Sequence, residues 1–322
     1  MYNLKVFSGR AHPDFAREVC AHLGVPLGNA DIFKFSNDNT FVKINESVRE
    51  DDVFVIQPSC YPVNDGFMEL VIMIDALKRA SVRRLTAVLP YFPYARSDKK
   101  DQPRIPITAR LIADILEVAG ADRILTMDLH APQIQGFFRI PVDHLTALPI
   151  LAEHYRQRGW DDLVVVAPDA GRAKMARLYA DWLHAPMAIL DKWRTGNDET
   201  AVVDHLIGDV TDRRALLVDD EVSSGRSLAA AVGLLLRHGA REVYAAVTHA
   251  VLSGDATRVL AESGLRELVV TNSLPIAYGK RHPMVKVLSV APLFAEAISR
   301  IHTGGSVSTL FEVAKEQGTF RS

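Results

Sequence analysis

The chain is 322 residues long, with 48% hydrophobic and 24% charged residues and a formal net charge of −2. This composition is that of an ordinary globular protein with room for two domains, and the near-neutral charge argues against a general binder of nucleic acid or of membrane surfaces. The two cysteines, Cys20 and Cys60, form no Cys-x-x-Cys pair, which argues against a zinc ribbon or a disulfide framework.

The first residues, Met1 to Phe7, form a short strand-like run without a charged and then apolar leader. We therefore expect no signal peptide. No apolar run reaches about 18 residues, so a membrane-spanning helix is not expected either. A cytoplasmic location is the resulting expectation.

In the first half of the chain, short apolar runs alternate with amphipathic segments, which is typical of a parallel α/β sheet. The strongest helical pattern covers residues 64–80, where apolar residues recur every three or four positions. The polar stretch 35–40 predicts a turn, and residues 45–49 predict a strand after it. Further strands are predicted at 4–7, 53–57, 85–89 and 123–129, and further helices at 14–23 and 107–119.

The second half begins near residue 143 and repeats the alternation. Its predicted strands are 163–167, 188–190, 215–218, 243–247, 267–270 and 285–290, and its predicted helices are 172–183, 227–237, 256–263 and 292–302. We therefore predict an α/β protein of two similar domains, each with a mostly parallel sheet flanked by helices. The predicted domains are residues 1–145 and 146–302, and the tail 303–322 is expected to pack back on the first.

Residues 215–227 are the most informative about a ligand. A buried strand leads to the paired carboxylates Asp219 and Asp220, and a loop of small residues then opens a helix. The N–H groups and hydroxyls at such a helix start suit a phosphate, whereas carboxylates accept hydrogen bonds from neighbouring hydroxyls. Ribose 5-phosphate satisfies both, while the alternative is an ordinary strand–turn–helix with solvated acids and Ser227 as its cap. The loop residues predicted to bind the phosphate are Ser223, Ser224, Gly225, Arg226 and Ser227.

Other polar residues follow the carboxyl ends of predicted strands, where doubly wound sheets bind ligands. Period-two alternation predicts that Asp128 and His130 share a side of one strand end, and Asp169 follows another strand. Such a group is suited to Mg²⁺, which prefers oxygen ligands, although an imidazole is a less usual one. The alternative is that His130 bonds within its own loop. No P-loop or dinucleotide-binding fingerprint occurs.

Two polar loops of the first half are candidates for nucleotide binding. Arg96 and Asp98 lie in a basic-rich loop that is suited to a polyphosphate, or that is simply a solvated surface. Phe35, Asn37 and Asn39 lie in the predicted turn, where an aromatic face and amides suit a purine. The alternative for this stretch is an ordinary hairpin turn rich in Asn and Asp.

Lys192 and Arg194 follow the predicted strand 188–190 and precede a polar segment, residues 195–200, that we expect to be flexible. Two cations on one side of a strand end are suited to neutralise the charge that builds on a transferring phosphoryl group. The alternative is a solvated hairpin without a catalytic role.

Taken together, these stretches resemble the ribose-phosphate pyrophosphokinase family over residues 4–311. The resemblance rests above all on DLHAPQIQGFF at 128–138, supported by INESVR at 44–49, MELVIMIDALKRAS at 68–81, THAVLSG at 248–254 and SVSTLF at 306–311. It implies two domains of the type I phosphoribosyltransferase fold. It also implies Mg²⁺-dependent transfer of the pyrophosphoryl group of ATP to the 1-hydroxyl of ribose 5-phosphate, which yields phosphoribosyl pyrophosphate and AMP.

The resemblance also implies a role for each candidate residue. Asp219 and Asp220 are expected to bind the ribose hydroxyls, and the loop 223–227 is expected to bind the 5-phosphate. His130 and Asp169 are expected to lie at the metal and the phosphates, with His130 also catalytic. Lys192 and Arg194 are expected to stabilise the transition state. The residues expected to bind ATP are Phe35, Asn37, Asn39, Arg96 and Asp98. The family further implies a homo-oligomer built from dimers, with a hexamer as one assembly.

Some positions depart from the family pattern. Asn37 and Asn39 stand where acidic residues are usual, so nucleotide contacts there are expected to be neutral. Arg172 replaces the second glycine of a Pro-Asp-x-Gly-Gly pattern. In the phosphate loop, Ser223 replaces a frequent Asp and Arg226 replaces a Gly; Arg226 is expected either to contact the phosphate or to point to solvent. These departures keep two alternatives open: a catalytically weak homologue that acts as a regulatory partner, and a phosphoribosyltransferase that consumes phosphoribosyl pyrophosphate.

Overall fold

The structure is a computed structural model that describes residues 2–194, 202–308 and 310, with the backbone alone at 191–194 and 202–204. These described residues divide into two compact units. Residues 2–146, 273–275 and 289–308 belong to the first, and residues 147–272 and 276–288, as far as they are described, belong to the second. Residues 195–201, 309 and 311–322, which include the predicted flexible segment and most of the predicted tail, lie outside the described residues.

The described strands lie in one parallel sheet, one mostly parallel sheet and one antiparallel hairpin. In chain order they are β1 (Leu4–Ser8), β2 (Ala30–Lys34), β3 (Thr40–Ile44), β4 (Asp52–Ile56), β5 (Arg84–Leu89), β6 (Arg123–Met127), β7 (Val142–Leu145), β8 (Leu163–Ala167), β9 (Met187–Arg194), β10 (Val202–Ile207), β11 (Arg214–Val222), β12 (Glu242–Ala250), β13 (Leu265–Thr271) and β14 (Val285–Leu288). The helices are α1 (Pro13–Leu23), α2 (Val63–Arg79), α3 (Thr108–Ala119), α4 (Leu148–Arg156), α5 (Ala173–Leu183), α6 (Arg226–Arg237), α7 (Ala256–Ala261) and α8 (Ala291–Thr303).

In the first unit, the parallel sheet has the order β1-β4-β5-β6-β7, and β2 pairs with β3 as an antiparallel hairpin. Every residue of β4 is buried, as expected for an apolar strand with a neighbour on each side and helices on the faces. The strand predicted at 45–49 does not form, because the chain pairs five residues earlier, in β3.

Helix α8 belongs to the first unit, although the sequence pattern assigned residues 292–302 to the second domain. Phe294 of α8 packs edge-on against Phe15 of α1, with ring centroids 5.4 Å apart. The Nδ1 atom of His302 lies 2.8 Å from Oδ2 of Asp52, and Arg84 donates to the carbonyl of Ile301 at 2.7 Å. An amphipathic pattern predicts that a helix buries one face, but not which core that face covers.

In the second unit, the sheet has the order β10-β9-β8-β11-β12-β13-β14. Within its described residues, the pairing of β9 with β10 is antiparallel and the remaining pairs are parallel. From β8 the chain moves outward through β9 and β10, then returns to β11 and moves to the opposite edge. The connections therefore change direction between β8 and β11, and such a switch point leaves a crevice at the carboxyl ends of the strands.

The predicted α/β class with mostly parallel sheets is confirmed, although β2, β7 and β10 were not predicted. Among the described residues, no helix combines the length and the apolar character that crossing a membrane requires.

Candidate functional site

The switch point of the second unit brings Asp169 and the paired aspartates to neighbouring strands. Asp169 follows β8, is exposed, and caps a short 3-10 turn by accepting a hydrogen bond from the N–H of Arg172 at 3.1 Å. Asp219 and Asp220 lie in β11, which pairs directly with β8. The carboxyl ends of the two strands thus gather three of the predicted site residues at one crevice.

The acids lie within β11 and not beyond its end, so the predicted boundary at residue 218 was wrong. The strand continues because its pairing with β12 extends to Val222, opposite Ala250. Within the strand, Asp220 is 3% exposed and Glu221 is 7% exposed. The alternative in which solvent covers the paired acids therefore does not hold for Asp220.

The side chain of Arg172 reaches both paired aspartates. Its Nε atom lies 3.1 Å from Oδ1 of Asp219, and its Nη2 atom lies 2.7 Å from Oδ1 of Asp220. Burial raises the pKa of Asp219 well above its ordinary value, and the hydrogen bond and charge of Asp220 raise it further, while Arg172 opposes the shift. The raised pKa favours the neutral form of Asp219, so the pair resists carrying two negative charges, and the guanidinium of Arg172 is the cation that faces it.

The predicted phosphate loop lies between β11 and α6. Gly225 is the N-cap, with φ 74°, and α6 begins at Arg226, so Ser227 lies inside the first turn and is not the cap. Ser224, Arg226 and Ser227 are exposed, and the hydroxyl of Ser223 lies 3.1 Å from that of Ser253. The first N–H groups of a helix have no partner inside it and carry its positive dipole end, so the loop presents donors where an anion can bind.

Gly225 is required by the backbone and by its surroundings. A Cβ at this position would lie 3.0 Å from Cγ of Leu260 and 3.1 Å from the carbonyl oxygen of Ala256. We expect Gly225→Ala to lower the free energy of unfolding by about 1–2 kcal/mol, because an L-residue is strained at this φ. Chemical denaturation measures the change.

The matched control is Gly233→Ala in the interior of α6, where the Cβ would meet nothing closer than Nη1 of Arg237 at 3.5 Å. This variant is expected to keep or raise stability, because alanine favours a helix over glycine. Equal stability of the two variants would contradict the role assigned to Gly225.

Lys192 and Arg194 lie in β9, which is longer than the predicted strand 188–190. Its backbone pairs antiparallel with β10, where Lys192 is opposite Asp204 and Arg194 is opposite Val202. Arg194 is therefore the residue that directly precedes the segment 195–201, which lies outside the described part of the chain, and Lys192 lies two positions before it.

In the first unit, the start of α2 contacts both predicted nucleotide loops. Lys34, at the base of the β2–β3 turn, pairs with Asp65 at 2.6 Å, and Tyr94, in the loop after β5, hydrogen-bonds to Asn64. The turn that carries Phe35, Asn37 and Asn39 and the loop that carries Arg96 and Asp98 therefore lie beside the same helix end.

The side chains of these loops are partly ordered by local contacts. Phe35 is half exposed and packs edge-on against Phe33, with ring centroids 5.3 Å apart. Asn37 accepts a hydrogen bond from the N–H of Asn39 at 3.3 Å. Asp98 accepts one from Gln133 at 2.9 Å, and Gln133 belongs to the DLHAPQIQGFF stretch.

The predicted alignment of Asp128 with His130 was wrong. Strand β6 ends at Met127, and Asp128 has φ 36°, so the period-two alternation of an extended strand does not continue through these residues. His130 is partly buried after this turn, and the N–H of Leu129 donates to Nε2 of His144 at 2.8 Å.

Known proteins resemble the chain along nearly its whole length. A family model for the N-terminal domain of ribose phosphate pyrophosphokinase matches residues 4–120, and one for the phosphoribosyl synthetase-associated domain matches residues 199–312. A ribose-phosphate pyrophosphokinase from Clostridium acetobutylicum is 51% identical over 312 residues, which cover 96% of this chain and 98% of that relative. The chain belongs to the ribose-phosphate pyrophosphokinase family.

Two further members of the ribose-phosphate pyrophosphokinase family support this assignment. One from Corynebacterium ammoniagenes is 47% identical over 309 residues, covering 96% of this chain and 97% of its own. The crystal structure of phosphoribosylpyrophosphate synthetase from Mycobacterium smegmatis has a TM-score of 0.89 and 47% identity, and the match covers 94% of this chain and all of that one. The predicted family, fold class and enzyme class, a diphosphotransferase, are confirmed; the roles of individual residues and the metal stay predictions.

Two residues that lie at the candidate site of the second unit were not predicted from the sequence. Arg172 was noticed as a departure from a glycine-rich pattern, but its contact with the paired aspartates was not foreseen. Ser253 lies in the THAVLSG stretch, yet nothing in the sequence indicated that its hydroxyl meets Ser223. Both contacts join segments that are distant in sequence, so local patterns carry no signal for them.

Proposed function

We propose that this chain transfers the pyrophosphoryl group of ATP to the 1-hydroxyl of ribose 5-phosphate, yielding phosphoribosyl pyrophosphate and AMP. The observation that carries the proposal is the crevice of the second unit, where buried carboxylates lie next to a helix start with exposed serines. A ligand with hydroxyls at one end and a phosphate at the other suits this arrangement.

In this proposal, Asp219 and Asp220 accept hydrogen bonds from the ribose hydroxyls, and the loop 223–227 binds the 5-phosphate through its N–H groups and hydroxyls. The hydroxyls of Ser224 and Ser227 are exposed, which supports direct contact with the phosphate. Arg226 is exposed in the first turn of α6 and adds a positive charge to the same end of the helix.

On the ATP side, we assign the base and ribose of the nucleotide to the β2–β3 turn and the polyphosphate to the loop after β5. The half-exposed ring of Phe35 is suited to stack on a purine. Asn37 and Asn39 bring neutral amides to this turn, and Arg96 is exposed in its loop. The shared contacts of both loops with the start of α2 support a common nucleotide site.

The reaction forms a bond between the 1-oxygen of the ribose and the β-phosphorus of ATP, and the 1-hydroxyl gives up its proton to solvent. It breaks the bond between the β-phosphorus and the oxygen that bridges it to the α-phosphorus, and this oxygen leaves with AMP. Such a transfer needs in-line positioning and neutralisation of charge more than covalent help from the protein. We assign the neutralising charge to Lys192 and Arg194, and we assign His130 to the phosphate region of the nucleotide.

Magnesium is the expected cofactor, and the donors fit it in part. Asp169 is exposed and supplies carboxylate oxygen, which Mg²⁺ prefers, whereas His130 supplies nitrogen, a less usual ligand. Bound Mg²⁺ would supply positive charge to the phosphate oxygens of ATP. Asp169 and His130 are the residues that we propose to hold the ion, directly or through its waters.

The decisive experiment is AMP release from ATP by the purified protein, with and without ribose 5-phosphate, Mg²⁺ and inorganic phosphate. We expect AMP formation that requires both ribose 5-phosphate and Mg²⁺, and its change with phosphate reports regulation. Absence of AMP under all of these conditions would reject the proposal. Negligible activity together with co-purification of an active synthetase would instead support a regulatory partner. Binding of phosphoribosyl pyrophosphate without binding of ATP would support a phosphoribosyltransferase.

We further propose a cytoplasmic enzyme that works as a homo-oligomer built from dimers, up to a hexamer, and that binds neither nucleic acid nor membranes. The net charge of −2 supports the last two points. Light scattering coupled to gel filtration measures the assembly, and a monomeric mass at working concentrations would reject the oligomer.

A further inference from the structure

Arg172 holds the place that the proposed function gives to the sugar. Resting on that function, we infer that the Arg172 guanidinium occupies the acceptor atoms of the Asp219–Asp220 pair in the ligand-free chain, so that ribose 5-phosphate must displace it. Arg172 is then a specificity-determining residue that lowers the affinity for the sugar.

Arg172 contacts the paired aspartates in the way that a vicinal diol of the sugar would contact them. Its Nε atom lies 3.1 Å from a carboxylate oxygen of Asp219, and its Nη2 atom lies 2.7 Å from a carboxylate oxygen of Asp220, so one guanidinium pairs with two adjacent carboxyl groups. A guanidinium presents neighbouring N–H donors from one rigid plane, and a vicinal diol presents neighbouring O–H donors. Both groups seek the same oxygen atoms, so a diol cannot take its full set of hydrogen bonds while the guanidinium stays.

The backbone of Arg172 is anchored while its side chain spans the crevice. Its N–H donates to the carboxylate of Asp169 at 3.1 Å, and the residue ends the 3-10 turn and is the N-cap of α5. From this point at the end of β8, the side chain reaches across to β11. Rotation about the side-chain bonds of Arg172 can therefore open the aspartate pair without moving either strand.

The charge balance makes the displacement costly. The side chain of Arg172 is 18% exposed and that of Asp220 is 4% exposed, so their attraction is only weakly screened by water. Arg172 also opposes the rise in the pKa of Asp219 that burial and Asp220 cause. The incoming hydroxyls must therefore replace ion pairs with a charged guanidinium, which are stronger than contacts between neutral groups.

The test compares the binding of ribose 5-phosphate to the full chain and to Arg172→Ala by isothermal titration calorimetry. We expect Arg172→Ala to bind ribose 5-phosphate on the order of tenfold more tightly, because the guanidinium no longer has to leave. A 2,3-dideoxy analogue of ribose 5-phosphate, which lacks the diol, is expected to bind both proteins equally. The matched control is Arg177→Ala on α5, which removes an ion pair of 2.8 Å with Asp181 away from the crevice and should leave binding unchanged.

Each outcome decides the matter. Unchanged or weaker binding of ribose 5-phosphate by Arg172→Ala overturns the displacement and indicates that Arg172 is neutral or contacts the ligand itself. Absence of ribose 5-phosphate binding by every protein, the unsubstituted chain included, overturns the proposed function and this inference with it. If Arg172→Ala unfolds because Asp219 and the buried Asp220 lose their counterion, Arg172→Gln, which removes the charge but keeps a shorter polar side chain, is measured in its place with the same expected direction.

Discussion

Replacing Lys192 with alanine is expected to lower kcat by about 10²–10³-fold and to leave the KM values for ATP and ribose 5-phosphate nearly unchanged. Removal of one preorganised group that stabilises transition-state charge typically costs about this much. A contact that strengthens only in the transition state lowers kcat and kcat/KM together. Steady-state rates of AMP release at varied ATP and ribose 5-phosphate measure both parameters.

The matched control for Lys192 is Lys286→Ala. Lys286 is exposed on β14, which is at the opposite edge of the same sheet from β9 and β10. Loss of this lysine removes the same charge from the same unit and should leave kcat unchanged. An unaltered kcat in Lys192→Ala, or a rise in KM alone, would remove Lys192 from the stabilisation of the transition state.

Asp220→Asn is expected to raise the KM for ribose 5-phosphate by about 10–10²-fold and to change kcat much less. The side chain keeps its size but loses its charge, and a hydrogen bond to a charged group contributes about 1.5–3 kcal/mol. Because Asp220 is buried, water cannot replace the lost acceptor. Initial rates at varied ribose 5-phosphate and saturating ATP measure the effect.

The same substitution also loosens Arg172, whose Nη2 lies 2.7 Å from Asp220. In the single variant, this loosening offsets part of the rise in the KM for ribose 5-phosphate. We therefore expect Asp220→Asn to raise this KM at least as much when it is made in the Arg172→Ala background. The matched control is Asp162→Asn, which weakens an ion pair of 2.6 Å with Arg214 at the amino ends of β8 and β11. A similar KM for Asp220→Asn and Asp162→Asn would show that the carboxylate of Asp220 does not bind the sugar.

Much of the fold could be predicted because its signals are local. The apolar run of β4 predicts a buried strand at any position in a sheet, and the period of α2 predicts a helix with one buried face. Edge elements carried weaker signals. The strand β10 and the β2–β3 hairpin mix polar and apolar residues, and such patterns also occur in solvated turns.

In the candidate site, too, the features with a local sequence signal could be predicted and the others could not. The loop 223–227 could be predicted as a phosphate loop because small residues before a helix are suited to an anion, and the motif at 128–138 indicated the family. The end of β11 was not predicted correctly, because polar residues usually indicate the end of a buried strand. In β11 the pairing with β12 continues past the acids to Val222. Likewise, the turn at Asp128 depends on a left-handed backbone that alternation cannot predict.

The sequence by itself determined the alternation of strands and helices, the family and the chemical character of each loop, because these properties depend on residues that are close together in the chain. Only the tertiary structure decided that α8 covers the first unit, that Asp220 is buried and that Arg172 binds the paired aspartates. These features depend on which distant segments meet, and that choice is made by the packing of whole faces and by the switch point of the sheet. The contact between Arg172 and Asp219–Asp220 is the clearest case: 47 residues separate Arg172 from Asp219 in the sequence (219 − 172 = 47), and the pairing of β8 with β11 joins them.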